Sequence, residues 1–235
     1  LGIEIFHNFT LVHDDIMDDS NIRRNQPTVH KKWDTNTAIL SGDAMFIKAY
    51  EFMQAYEGPN YKEILRLFTQ TALEVCEGQQ YDMNFEKYNH VTESYYLRMI
   101  ELKTALLLAC SLQIGSVIGG AAQGDARRLY DFGRNMGMAF QLQDDYLDSF
   151  GDEEVFGKNI GGDIREDKKT YLLIKAYEEA NSSQKERLDE FIGNPEVDAG
   201  TKIAGVKEIF QQTGVNKFVL EKTNAYYRHA LNNLE

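Results

Sequence analysis

Phe9-Thr-Leu-Val-His-Asp-Asp-Ile-Met-Asp-Asp19 sets Asp14, Asp15 and Asp18 at the end of an otherwise apolar run. Written as a helix, Asp14 and Asp18 are one turn apart and share a face. Nearly the same spacing returns in Phe140-Gln-Leu-Gln-Asp-Asp-Tyr-Leu-Asp148, where Asp144 and Asp148 share a face in the same way. Two aspartate clusters of matching spacing, each closing an apolar helix, define two walls of one site.

Clustered carboxylates repel and raise one another's pKa. They also sit badly at a helix C-terminus, where the macrodipole is already negative. Arg23 and the Gln26-Pro27 break place the end of the first helix shortly after Asp18. A divalent cation relieves both penalties. Oxygen ligands of this kind select Mg²⁺, which keeps several waters and is bound by a few carboxylates together with substrate phosphates. Asp14, Asp18, Asp144 and Asp148 are therefore the expected metal ligands of a diphosphate site. Either cluster alone reads equally well as a solvated acidic helix end. The duplication, with basic residues beside each copy, favours the site.

Outward from the first cluster, helical periodicity covers residues 1–19 (Leu1, Ile5, Phe6, Phe9, Val12), and 20–28 reads as a loop carrying Arg23 and Arg24. Further helices are expected over 36–56 and 61–80, with a loop between Tyr81 and His90. Thr92 is a candidate N-cap for a helix running to about Ile118. Residues 124–149 form the helix of the second cluster, with Gly133 and Gly137 four apart for close packing. Phe140 and Gln141 lie about a turn before Asp144 and are expected deeper on its face. A glycine-rich loop at 150–163 follows, then a helix from Asp167 to about Ala180 and shorter ones near 183–192, 202–212 and 215–234. No strand-period segment of useful length stands out. The expected fold is an all-α helical bundle around a central cavity, a single domain over 1–235.

Composition narrows the function. The net charge of −12 argues against a nucleic-acid partner. Cys76 and Cys110 lack metal-ligand or CxxC spacing and read as buried thiols in a reducing, cytoplasmic compartment. No uninterrupted apolar run reaches the ~18–20 residues of a transmembrane segment, and no signal peptide opens the chain.

The motifs carry a family resemblance. Asp14-Asp-Ile-Met-Asp18 matches the first aspartate-rich motif of the trans-isoprenyl diphosphate synthases, the group that holds the farnesyl and geranylgeranyl diphosphate synthases. Arg23-Arg-Asn-Gln-Pro-Thr-Val-His30, the Lys103-Thr104 pair, Phe140 to Asp148, and Gly157 to Asp163 with Lys168 match further elements in family order. The resemblance implies an isoprenoid-synthase-type bundle, a homodimer, and Mg²⁺, three ions with substrate bound. It implies head-to-tail condensation of isopentenyl diphosphate with an allylic diphosphate to a short all-trans product, farnesyl or geranylgeranyl diphosphate. By the same resemblance Asp14, Asp15, Asp18, Lys103, Thr104, Gln141 and Asp144 are catalytic. Arg23, Lys103, Lys158 and Lys168 face diphosphates, Arg24 faces isopentenyl diphosphate, and Thr104 and Gln141 offer oxygen dipoles to the carbocation. Family members have helices before this point, with a Gly-Lys-x-x-Arg segment for isopentenyl diphosphate. This sequence has no such segment, so it is expected to be part of a longer protein.

Product length depends on what blocks the cavity. Counting back from Asp14 reaches Thr10, Phe9, Phe6 and Ile5, with Phe9 roughly 7 Å below Asp14 along the helix. In the resembled family an aromatic five positions before the first aspartate shortens the product, and Phe9 holds that position. Phe9 and Thr10 are the expected chain-length residues. Three other readings remain open: a terpene cyclase of the same fold, a non-catalytic partner subunit, and a structural acidic helical protein. The intact Asp144-Asp-Tyr-Leu-Asp148 disfavours the first two.

Overall fold

The structure, a computed structural model, describes residues 1–88, 90–151 and 160–235. Helix α1 spans Gly2–Met17 and ends at Asp18, whose amide donates to the Asp14 carbonyl at 2.9 Å. The helix has no basic side chain of its own in its last turn, so the cations that offset its dipole and carboxylates come from other elements. Residues 20–28 are not a plain loop. Ile22–Arg23 (β1) and Gln26–Pro27 (β2) pair antiparallel, and Arg24 and Asn25 between them both have positive φ, +52° and +60°. Two positive-φ residues are what a tight two-residue hairpin turn demands. The pair is too short to leave a period-2 signal.

A single-turn helix, α2 (Val29–Lys32), leads to α3 (Thr35–Gln54), capped by Asp34, which accepts from Thr37 N at 2.9 Å. Helix α3 packs along α1. Gly42 makes this possible, because a Cβ there would overlap the His13 ring. Helix α4 runs over Tyr61–Phe85, one turn beyond the expected stop, so Asp82 is helical rather than in a loop. In the extra turn Gln80 donates to Asn84 at 3.1 Å, a side-chain contact one turn apart on the helix.

Thr92 caps α5 (Glu93–Ile100) as expected. Between α5 and α6 (Leu106–Ile118) the helix widens into a π segment, Glu101–Ala105, which holds Lys103 and Thr104. The combined run Glu93–Ile118 holds an 18-residue stretch of mean hydropathy 1.4, long and apolar enough to cross a membrane by length and composition alone, although it is interrupted by polar residues. Here it lies between α4 and α7 (Gln123–Phe150). Gly133 meets the Ala109 backbone and Leu112, and Gly137 meets Ala105. Both glycines serve the close packing that their spacing suggested.

After 152–159 the chain continues with the short α8 (Gly162–Arg165). A turn follows, with Asp167 at φ +57°, so helix α9 (Tyr171–Glu179) starts four residues later than expected. Then come α10 (Ser182–Phe191), α11 (Ala199–Thr213) and α12 (Val215–Asn232). One apolar core gathers Phe6, Ala49, Ile64, Phe68, Val75, Cys110 and Ile114. The other gathers Tyr96, Ile100, Leu142, Leu172, Val206, Phe210 and Val215. Cys76, expected inside, is exposed on α4. Cys110 is buried, and burial pushes its thiol up to about 11.

Candidate active site

The end of α1, the π segment, α7 and α8 meet where the two cores adjoin. Lys103 of the π segment links α1 to α4. Its ammonium donates to Asp14 at 2.9 Å and to Asp82 of α4 at 2.7 Å. Burial alone would lower its pKa, but Asp82 and Asp14 outweigh burial and raise it, so it stays charged. Thr104 beside it donates to Gln141 Oε1 on α7 at 3.2 Å, tying the π segment to the second wall.

The three first-wall aspartates differ in role. Asp14 faces Lys103 and, at 3.6 Å, Arg23. Asp15 is only 4% exposed and accepts from Arg23 Nε at 2.8 Å, so it anchors the hairpin arginine. Burial and then Asp14 push the Asp18 carboxyl up to about 6. Lys168 stands 3.9 Å from Asp18 and 3.7 Å from Asp163, spanning the two walls. Its placement is set by the Asp167 turn, which Lys202 of α11 holds with a 2.6 Å ion pair and Gly193 N with a 2.9 Å hydrogen bond.

On the second wall Asp144 is exposed, and Asp148 accepts from Asp163 N at 3.0 Å. Burial first, and mutual repulsion second, raise the Asp163 carboxyl, with Asp148 raised alongside it. Phe140 does not lie deeper on the aspartate face: it is 64% exposed, whereas Gln141 turns inward to Thr104 and Asp145. One residue is 100° of helix rotation, enough to separate the pair. Arg24 is exposed at the hairpin turn. Lys158 lies outside the described residues. Asp163, which closes the matched Gly157 to Asp163 segment, Asp82, which the resemblance sets only near the cavity mouth, and Tyr96 complete the site. A lone helical Asp or a buried Tyr carries no pattern of its own.

Among the described residues, no three carboxylate, imidazole or thiol groups stand close enough to form a closed metal cage. The donors are instead spread over two walls, all of them carboxylate oxygens. Asp14, Asp18, Asp82, Asp144, Asp148 and Asp163 outnumber Arg23, Lys103 and Lys168. An open set of hard oxygens with surplus negative charge fits Mg²⁺ that is completed by water and substrate phosphate. Midway along α1, Phe9 packs its ring on Phe46 (centroids 5.1 Å), Phe6 (5.4 Å) and His13 (4.9 Å). The Thr10 hydroxyl donates back to the His7 carbonyl at 2.8 Å.

An all-α bundle with two facing aspartate walls and basic side chains between them defines a metal-dependent enzyme class that handles diphosphates. The family model for polyprenyl synthetase matches residues 1–211, and the chain belongs to that family. A short chain isoprenyl diphosphate synthase from Methanothermobacter thermautotrophicus is 40% identical over 235 residues, covering all of this chain and 71% of the relative. A geranylgeranyl diphosphate synthase from Saccharolobus solfataricus is 43% identical over 199 residues, covering 83% of this chain and 60% of the relative. Among solved structures, a geranylgeranyl pyrophosphate synthetase from Pyrococcus horikoshii superposes with a TM-score of 0.93 at 36% identity, over 99% of this chain and 71% of that one.

Proposed function

We propose that this chain condenses isopentenyl diphosphate with an allylic diphosphate, head to tail, to a short all-trans prenyl diphosphate, farnesyl or geranylgeranyl. One observation carries the proposal. Lys103 is held charged between Asp14 and Asp82, next to a Thr104–Gln141 pair that crosses to the second aspartate wall. A fixed cation for diphosphate and oxygen dipoles for a carbocation thus adjoin. The family and the relatives' names support the same reaction class.

Asp14, Asp18, Asp144 and Asp148 would hold Mg²⁺, which neutralises the charge that develops on the leaving diphosphate. Lys103 and Arg23 would bind the allylic diphosphate from the first wall, and Lys168 and Lys158 from the second. Arg24, exposed on the hairpin, would meet isopentenyl diphosphate. As the allylic C–O bond breaks, the electron pair leaves with the diphosphate, and Thr104 and Gln141 would face the allylic cation with their oxygens. The isopentenyl double bond then supplies the new C–C bond, and the released diphosphate would take the proton. Phe9, with Thr10 above it, would close the cavity against a longer chain.

A homodimer in the cytoplasm belongs to the same proposal. Leu40 (68% exposed) and Ile47 (66%) form an uncovered apolar stripe on α3, and both cysteines are free thiols. The test uses the full-length protein and supplies Mg²⁺, labelled isopentenyl diphosphate and each allylic primer in turn. A single short linear prenyl alcohol after dephosphorylation, lost in Asp14→Ala and Asp144→Ala, is expected. A cyclic hydrocarbon from primer alone, or no turnover with any primer, would refute the reading.

A further inference from the structure

Asp145 is the middle aspartate of the second motif, and its position separates it from its neighbours. It is 3% exposed, and among the described residues no lysine or arginine pairs with it. Three donors converge on its carboxylate instead. The Tyr96 hydroxyl of α5 donates to Oδ2, Tyr171 N at the start of α9 donates to Oδ2 at 3.3 Å, and Gln141 Nε2 donates to Oδ1 at 3.2 Å. Gln141 and Asp145 are four apart on α7, so the last contact follows from helix geometry. The first two come from elements 49 and 26 residues away in sequence.

Oδ2 already meets the Tyr96 hydroxyl and the Tyr171 amide, so Oδ1 faces Gln141 as an acceptor. The group that Gln141 turns toward Asp145 must therefore be its NH₂. That leaves Oε1 on the other side, where Thr104 donates to it at 3.2 Å. Oε1 has a second lone pair that Thr104 does not use. Without Asp145 the amide could turn over and present N–H groups where the oxygen stood. A partial positive charge would then face the place proposed for the cation. An apolar side chain at 145 would be cheaper to bury than a carboxylate with no cationic partner. Packing alone thus gives no reason for an aspartate here.

We infer that Tyr96 and Asp145 are positioning residues for prenyl transfer: they lock the Gln141 amide with its oxygen toward Thr104. The inference rests on the proposed function of the same site, in which Gln141 faces the cation. Asp145 holds no substrate or metal in this account and acts through Gln141, while Tyr96 acts through Asp145. The chain Tyr96–Asp145–Gln141–Thr104 connects α5, α7 and the π segment, so a single hydroxyl on α5 reaches the reacting centre.

The experiment measures single-turnover condensation rates and both diphosphate KM values for Tyr96→Phe, Gln141→Ala and the double variant, with thermal unfolding as the control for folding. Tyr96→Phe is expected to slow condensation about tenfold with both KM values within twofold of the parent. In the Gln141→Ala background the same change is expected to cost less than twofold, because the amide it positions is gone. Asp145→Asn serves as a second variant should Tyr96→Phe unfold, with the same non-additivity expected. Rate losses that multiply independently in the double variant would overturn the inference and leave the role of Gln141 standing. A Gln141→Ala protein that condenses at the parent rate would overturn the role of Gln141 and the inference with it.

Discussion

Lys103 shows how one side chain can be both a structural and a functional element. Its stem leaves an apolar helix, and its head sits between two carboxylates from different helices. Lys103→Met keeps the stem and removes the charge. Asp14 and Asp82 then lose their shared cation, and kcat/KM for the allylic diphosphate is expected to fall on the order of 100-fold. Steady-state kinetics check this, and a change of only a few fold would remove Lys103 from the diphosphate site. Phe9 makes a contrasting case. It is half-buried in an aromatic cluster, whereas its neighbour Phe6 is fully buried. Phe9→Ala is expected to lengthen the product with modest loss of stability. Phe6→Ala is expected to cost about 3–5 kcal/mol. Product chromatography and denaturant unfolding separate the two, and unchanged product length in Phe9→Ala would locate the block elsewhere.

At the scale of elements, the π segment Glu101–Ala105 is the joint on which the site turns. A widened turn shifts Lys103 and Thr104 relative to a regular helix, and π-bulges often mark functional sites. Two glycines hold it from opposite sides. A Cβ on Gly78 of α4 would collide with the Lys103 and Leu102 backbone, and one on Gly137 of α7 would stand 2.5 Å from Ala105 Cα. These close approaches are backbone to backbone, so no side-chain rotation relieves them. Gly78→Ala and Gly137→Ala are each expected to destabilise by about 1–3 kcal/mol from overpacking. Each should also lower activity more than its stability loss explains, since the displaced segment carries Lys103 and Thr104. Urea midpoints measured with turnover test this. Full activity in both variants would show that the site tolerates movement of the joint.

For the whole molecule, the carboxylate surplus links stability to pH. Burial holds Asp18 up at about 6 and Asp145 at about 7, with Asp163 raised as well. Unfolded aspartate titrates near 3.9. Between these values the native protein binds more protons than the unfolded chain, so stability falls as pH rises. The contribution is complete below about pH 4 and is lost through about pH 6–8. Asp34, Asp198 and Glu93 are shifted downward and act oppositely, but only at the acid end. The denaturation midpoint of metal-free protein is therefore expected to drop between pH 5 and pH 8. Mg²⁺ should recover part of the loss at the upper end by binding the ionised carboxylates. A midpoint that stays level or climbs over this window would contradict the raised carboxyls.

Periodicity and spacing by themselves determined the helical class, the two aspartate walls, and the Thr92 cap, because each is local: 3.6 residues per turn brings Asp14 over Asp18 and Asp144 over Asp148 without help from the rest of the chain. Motif order determined the resemblance to the family that the chain proves to belong to. The tertiary structure alone decided which side chains meet. That Asp82 holds Lys103, that Lys168 spans Asp18 and Asp163, and that Tyr96 reaches Asp145 all depend on packing between helices far apart in sequence. Such contacts leave no periodic trace, since either partner would look the same on a solvated or a buried face. The exposed Phe140 and the inward Gln141 make the same point within one helix. Adjacent residues differ by 100° of rotation, and only the neighbouring helices decide which direction is the inside.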